Sequence, residues 1–283
     1  MALTDPAAGL TAPLQADTPL GRISYRQAGQ GDQVHVLLHG IGSASGSWQA
    51  QLDAAQERLD LRLLAWDAPG YGHSDPVPEA HPDADAYAQR LWGWLDALQV
   101  RGPVVLVGHS LGAIMAARAA VQQSARVRRV LLLAPARGYG QAPQAERERV
   151  QSTRLGQLAQ LGPEGLARAR AAAMLSDRAL PQWIEQVRQQ MACIHPAGYT
   201  QAVHLLLGAV ISRDLQRLRE RGLTIEVASG EADAITPPAA CDKVAADAGV
   251  SRLSLGPVGH ACAIEAAPAV MDLIDRSAQW ERR

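Results

Sequence analysis

The chain has no phenylalanine, and aromatic residues make up only 4% of its 283 positions. Its core must therefore be filled largely by Leu, Val, Ile and Ala. Lys243 is the sole lysine, so permanent positive charge is carried almost entirely by arginine. The formal net charge is −1, which gives no bulk electrostatic case for nucleic acid or an anionic membrane as partner. Three cysteines, Cys193, Cys241 and Cys262, are too few and odd in number for a disulfide framework, and the cytoplasm is the expected compartment. No apolar run approaches 18 residues, so no spanning helix is expected. Residues Met1 to Leu20 have neither a basic lead nor an apolar stretch and do not read as a secretory signal. Their Ala, Thr and Pro content reads as a loose arm. His35, His73, His81, His195 and His204 lack metal-ligand spacing with acids or thiols, so neither a metal nor a cofactor is expected. What remains, 47% hydrophobic and 19% charged, suits a globular protein with one large domain, or a core plus an insertion.

Strand-like segments run over Gly21 to Ala28, Val34 to Leu38, Leu61 to Ala65, Val104 to Val107, Arg129 to Leu133, Leu223 to Ser229 and Arg252 to Leu255. Helical patterns lie between them, for example Ala84 to Leu98 and Leu111 to Gln123. This alternation predicts an α/β fold with a mostly parallel, doubly wound sheet and an antiparallel start. The rhythm breaks after Ala134-Pro135, and no strand is legible from Arg137 to Arg221. Trp183, Val187, Met191 and Ile194 form an amphipathic helical stripe, with Pro181 in its first turn. Val203, Leu206, Leu207 and Val210 form another. The expected division is a core of residues 1–135 and 222–283 with a helical cap over 136–221. Residues 137–221 hold twelve arginines against seven acids. A solvated face explains most such excesses; the sharper reading sends one or two arginines inward to an anionic substrate group, with Arg137 the candidate.

The densest chemical signal is Gly108-His109-Ser110-Leu111-Gly112. It follows the apolar run Val104 to Val107 and precedes the small, apolar stretch Leu111 to Ala117. A strand, a sharp turn with serine between glycines, and a helix make a nucleophile elbow. The glycines let strand and helix pack closely, and the helix N-terminus aims free N–H groups at the serine. A serine nucleophile needs a base, and the base an orienting acid. His260 follows the last strand-like segment. Asp233 lies a few residues past the Leu223–Ser229 strand, with Glu231 as competitor. The His39-Gly40-Ile41-Gly42 turn ends the Val34–Leu38 strand. It offers the N–H of Ile41, or failing that Gly42, as a second oxyanion donor beside Leu111. His109 is expected to line or underpin the elbow, Trp183 to stand in the core or pocket wall, and Cys262 to be a packing residue.

Together these residues, with Trp66-Asp67-Ala68-Pro69-Gly70-Tyr71-Gly72-His73-Ser74-Asp75, resemble the α/β-hydrolase superfamily over nearly the whole chain. Within it the chain looks most like capped bacterial hydrolases with a serine nucleophile: carboxylesterases, lactonases and hydrolases of ring-cleavage products. The resemblance implies a triad of Ser110, Asp233 and His260 and a helical cap over the site. It implies cleavage of a small carboxylic ester or lactone without a cofactor. Three alternatives stay open: a carbon–carbon bond hydrolase of vinylogous keto acids, an acyltransferase or perhydrolase, and a ligand receptor on a hydrolase scaffold.

Overall fold

The computed structural model describes residues 11–278. One sheet holds β1 (Leu14–Ala16), β2 (Ile23–Ala28), β3 (Gln33–Leu38), β4 (Leu61–Trp66), β5 (Val104–His109), β6 (Val127–Leu133), β7 (Thr224–Ser229) and β8 (Arg252–Ser254). The order across it is β1-β2-β4-β3-β5-β6-β7-β8. β2 pairs antiparallel with β1 and β4; all later pairings are parallel. The expected loose arm is corrected in part. Its first ten residues lie outside the described ones, but Leu14–Ala16 pairs with Ile23–Tyr25. This strand is only three residues long with two of them exposed, so it carries no burial pattern to read.

The parallel strands are near-continuous apolar runs because both faces of the sheet are covered. Alternate residues serve opposite cores. Val36, Leu38, Leu64, Leu106, Val130 and Leu132 join one cluster, and Leu37, Leu63, Val105, Val107, Leu131 and Leu133 the other. The first face is packed by α2 (Ala84–Ala97) and α3 (Leu111–Gln122), the second by α1 (Gln49–Ala55) and, near the C-terminus, α10 (Ala267–Ala278). The scarce aromatics are concentrated where volume is needed. Tyr25 and Trp66 pack against Trp94 of α2 at centroid distances of 5.3 and 6.2 Å. Fully burying each such ring contributes roughly 2–3 kcal/mol. Asp83 starts α2 by accepting from the Ala86 N–H at 3.1 Å, the capping contact that satisfies a free helical donor.

Between β6 and β7 the chain is helical, as expected: α4 (Gln144–Arg170), α5 (Pro181–Ala192), α6 (Pro196–Gly208) and α7 (Ile211–Glu220). α4 is two arms broken at Gly162, whose φ of 62° and ψ of 176° leave the helix just before Pro163. α5 and α6 pack on α4, whereas α7 packs on α3 and on α8 (Pro238–Ala248). Asp214 of α7 pairs with Arg118 of α3 at 3.1 Å. The remaining helix, α9 (Cys262–Glu265), follows β8. No helix among the described residues is long and apolar enough to cross a membrane. Lys243 is exposed on α8.

His35 on β3 is fully buried. Burial pushes its imidazole down to about 4, helped by the charges of Arg129, Arg128 and Arg58 and opposed by the Gln33 carbonyl. The folded chain therefore excludes a proton that the unfolded chain binds below about pH 6.5. Its contribution is complete above that pH and is lost as pH falls toward 4. Between pH 7 and 5 the loss is about 2 kcal/mol. His35→Gln is expected to show a smaller fall in Tm over that interval than the parent chain. Parallel Tm–pH curves would refute this account.

Candidate active site

Ser110 joins β5 to α3 with φ 53° and ψ −114°, a conformation that non-glycine residues rarely adopt. Three hydrogen bonds hold it there. Its N–H donates to the Leu133 carbonyl at 2.9 Å, and its carbonyl accepts from the N–H groups of Ala113 and Ala136, both at 3.1 Å. The close approach behind it requires glycine: a Cβ on Gly112 would lie 2.2 Å from the Leu38 carbonyl oxygen. Leu111 is the first residue of α3, so its N–H has no acceptor within the helix.

The turn after β3 runs directly against the elbow, since a Cβ on Gly40 would sit 2.9 Å from Ser110 Cβ. His39 fixes this turn. Its Nδ1–H donates to the Gly40 carbonyl at 2.8 Å, and its Nε2 accepts from the Ala68 N–H at 3.0 Å. Burial lowers its pKa and keeps the ring neutral, as these two bonds require. Asp67 supports the same turn from below, accepting from the Ser45 N–H at 2.8 Å and the Ser24 hydroxyl at 2.5 Å. The Asp67–Ser74 loop thus supports this turn by hydrogen bonds.

Beyond β7 and β8 stand the acid and the histidine. Asp233 Oδ2 lies 2.9 Å from His260 Nδ1. Asp233 Oδ1 accepts from the N–H groups of Ile235 and Thr236 at 2.8 and 2.9 Å, and Thr236 Oγ1 lies 2.8 Å from Oδ2. Burial alone would raise the Asp233 pKa; the bonds from His260 and Thr236 outweigh it and hold the carboxyl below its usual range. An ionised carboxylate only accepts, so Nδ1 of His260 carries the proton and Nε2 is free to act as a base. Glu231, the competing acid, instead pairs with Arg252 at 3.0 Å.

Ser110, His260, Ile41, Leu111, His109 and Arg137 line one cavity of about 490 Å³, within the range of small-ligand pockets. Asp233 stands behind His260, held by it rather than lining the wall. His109 is half-buried at the end of β5, and desolvation, with the adjacent His260, pushes it down to about 3. It is therefore neutral, and its Nε2–H donates to the His260 carbonyl at 2.8 Å. Trp48 meets its ring edge-on at 6.5 Å. Trp183 does not line the cavity. It packs beside Ala167, Ala171, Val187 and Met191 in a separate cluster, whereas Val187 and Met191 of the same stripe do reach the cavity. Arg137 is exposed at the cavity wall. Burial raises the Cys262 thiol to about 12, which removes it as a nucleophile.

Sequence reasoning missed Thr236 and Glu265. Thr236 had a local signal, since Asp-x-x-Thr is an Asx-type turn pattern. Glu265 had a weaker one, a lone acid in the apolar stretch Ala261 to Ala267. It is buried and accepts from the Gly259 N–H at 2.8 Å and from the N–H and hydroxyl of Ser176. Just beyond the histidine, the Ala261 N–H donates to the Met174 carbonyl at 2.7 Å. The loop bearing His260 is thus tied to the segment that joins α4 to α5.

A family model described as alpha/beta hydrolase family matches residues 36–273; the chain belongs to that family of hydrolases. A 2-hydroxy-6-oxononadienedioate/2-hydroxy-6-oxononatrienedioate hydrolase from Pseudomonas sp is 32% identical over 116 residues, which is 40% of this chain and 40% of that protein. The match to this relative thus spans well under half of its length. Among solved structures, a thermophilic esterase from Thermogutta terrifontis superposes with a TM-score of 0.81 at 22% identity, over 96% of this chain and 98% of that one. An enol-lactonase from Burkholderia xenovorans gives 0.81 at 21% identity, over 93% and 99%. These likenesses establish the α/β-hydrolase fold.

Two substitution series test the geometry by hydrolytic turnover. Asp233→Asn is expected to lower kcat by about 10⁴, because asparagine presents an N–H to Nδ1 and favours the wrong tautomer. Glu231→Gln is expected to cost less than threefold; a larger loss there would move the acid role to Glu231. Glu265→Gln is expected to lower kcat by about 10- to 100-fold with KM nearly unchanged. An unaltered kcat would show that the His260 loop holds its place without Glu265.

Proposed function

We propose that the chain is a serine hydrolase that cleaves a small carboxylic ester or lactone through an acyl-enzyme on Ser110. The observation that carries this reading is the Asp233–His260 bond of 2.9 Å, with His260 and a strained, exposed-to-cavity Ser110 sharing one pocket. His260 Nε2 takes the Ser110 proton as Oγ attacks the carbonyl carbon. The N–H groups of Leu111 and Ile41 hold the oxyanion that develops. Collapse of the tetrahedral adduct expels the alcohol, which receives the proton from His260. Water then gives a proton to His260 and attacks the acyl carbon; the adduct collapses, the acid leaves, and His260 returns the proton to Ser110 Oγ. Asp233 stays ionised and stabilises the imidazolium that forms twice in the cycle.

We read α4 to α6 as the lid of this site. Residues 136–221 are the insertion by sequence, but the packing of α7 on α3 and α8 favours ending the lid near Ala209. A second reading has one observation in its favour. The Pseudomonas relative is named for hydrolysis of a dienedioate, so the same triad acting on a keto acid is the competing chemistry.

Ser110→Ala is expected to keep its Tm within a few degrees and to lose at least about 10⁴-fold in kcat on a p-nitrophenyl ester, and to abolish labelling by a fluorophosphonate probe. Retention of a tenth of the parent kcat would disprove the nucleophile. Failure of every ester and lactone, beside turnover of a ring-cleavage keto acid, would transfer the assignment to the second reading.

A further inference from the structure

Six buried or half-buried arginines of this chain answer to a carboxylate. Arg58, Arg118, Arg126, Arg129, Arg188 and Arg252 each pair with Asp or Glu. Arg154 and Arg170 do not: neither lies within ion-pair distance of an acid among the described residues, although both line the cavity that holds Ser110. The break at Gly162 and Pro163 brings them together, since it folds the second arm of α4 back toward the first. Arg170 Nη1 donates to Gln157 Oε1 at 3.3 Å, one turn along the first arm from Arg154. Tyr199 lines the same cavity. Burial and the neighbouring Arg154 charge lower the Arg170 pKa, while Tyr199 opposes them. Glu146 also borders the cavity, but its single charge leaves the wall net positive. Two like charges held side by side in a partly desolvated wall are costly unless an anion joins them.

We propose that Arg154 and Arg170 form a carboxylate-binding subsite, so that the substrate carries a free carboxylate in addition to the bond that is cleaved. The proposal rests on Ser110 as nucleophile for its kinetic test, but the subsite itself does not. A guanidinium fork matches a carboxylate in plane and spacing, Gln157 holds one fork in position, and the Tyr199 hydroxyl is a further donor on the wall. The inward arginines are thus on α4, and Arg137, which is exposed, is not one of them.

The test compares p-nitrophenyl hydrogen adipate with p-nitrophenyl hexanoate, which has the same acyl length and no charge. The parent enzyme is expected to favour the adipate by about 10- to 150-fold in kcat/KM. In Arg154→Gln and in Arg170→Gln that ratio is expected to fall toward one, and in Arg170→Lys to fall only part of the way. Because the ratio is taken within one preparation, partial misfolding cancels. Adipate added to Ser110→Ala is expected to raise Tm, and to lose that effect when both arginines are replaced. Hydrolysis of both esters at equal kcat/KM by the parent, with no adipate-dependent Tm shift, overturns the subsite and leaves the nucleophile standing. Hydrolysis of neither ester, with the Tm shift present and arginine-dependent, supports the subsite and overturns the esterase reading.

Discussion

The site depends on one backbone conformation. Ser110 is held at φ 53°, ψ −114°, at a cost of about 1–3 kcal/mol. The surroundings over-determine it: β6 lends the Leu133 carbonyl, the segment after β6 lends the Ala136 N–H, and Gly112 lets α3 press onto the end of β3. Three neighbouring elements therefore have to be in register before the hydroxyl points into the cavity. The same crowding brings the His39–Ile41 turn against the serine, so Ser110 and the N–H groups of that turn are set by one packing arrangement rather than by two.

The acid and histidine are placed by a different logic. They sit on loops past β7 and β8, where no tight strand–helix turn confines them. Polar contacts supply the confinement instead. Asp233 is saturated by two N–H groups, Thr236 and His260, while Glu265 and His109 grip the His260 loop from two sides. Through Ser176 and Met174 that loop also contacts the helical insertion.

Features written in short stretches of chain were legible in the sequence. The seven strand segments, the elbow, Pro181 at the start of α5 and the apolar stripes on α5 and α6 all depend on residues within a dozen positions of each other. Asp233 was separable from Glu231 only by position, and the structure distinguishes them through Arg252, whose pairing spans 21 residues. β1 was missed because three half-exposed residues have no pattern. The break in α4 was not read, although Gly162-Pro163 marks it, and with it went the meeting of Arg154 and Arg170 across sixteen positions. Arg137 was favoured for its closeness to β6, and it does border the cavity, but it is exposed there. Trp183 was half right: its stripe is real, but Val187 and Met191 reach the cavity and the tryptophan does not.

The near-absence of lysine has a practical side. Lys243 is exposed on α8. The chain therefore offers a single side-chain amine to acylating reagents. A dye, a spin label or a solid support joined through it would be fixed at one known point of the fold.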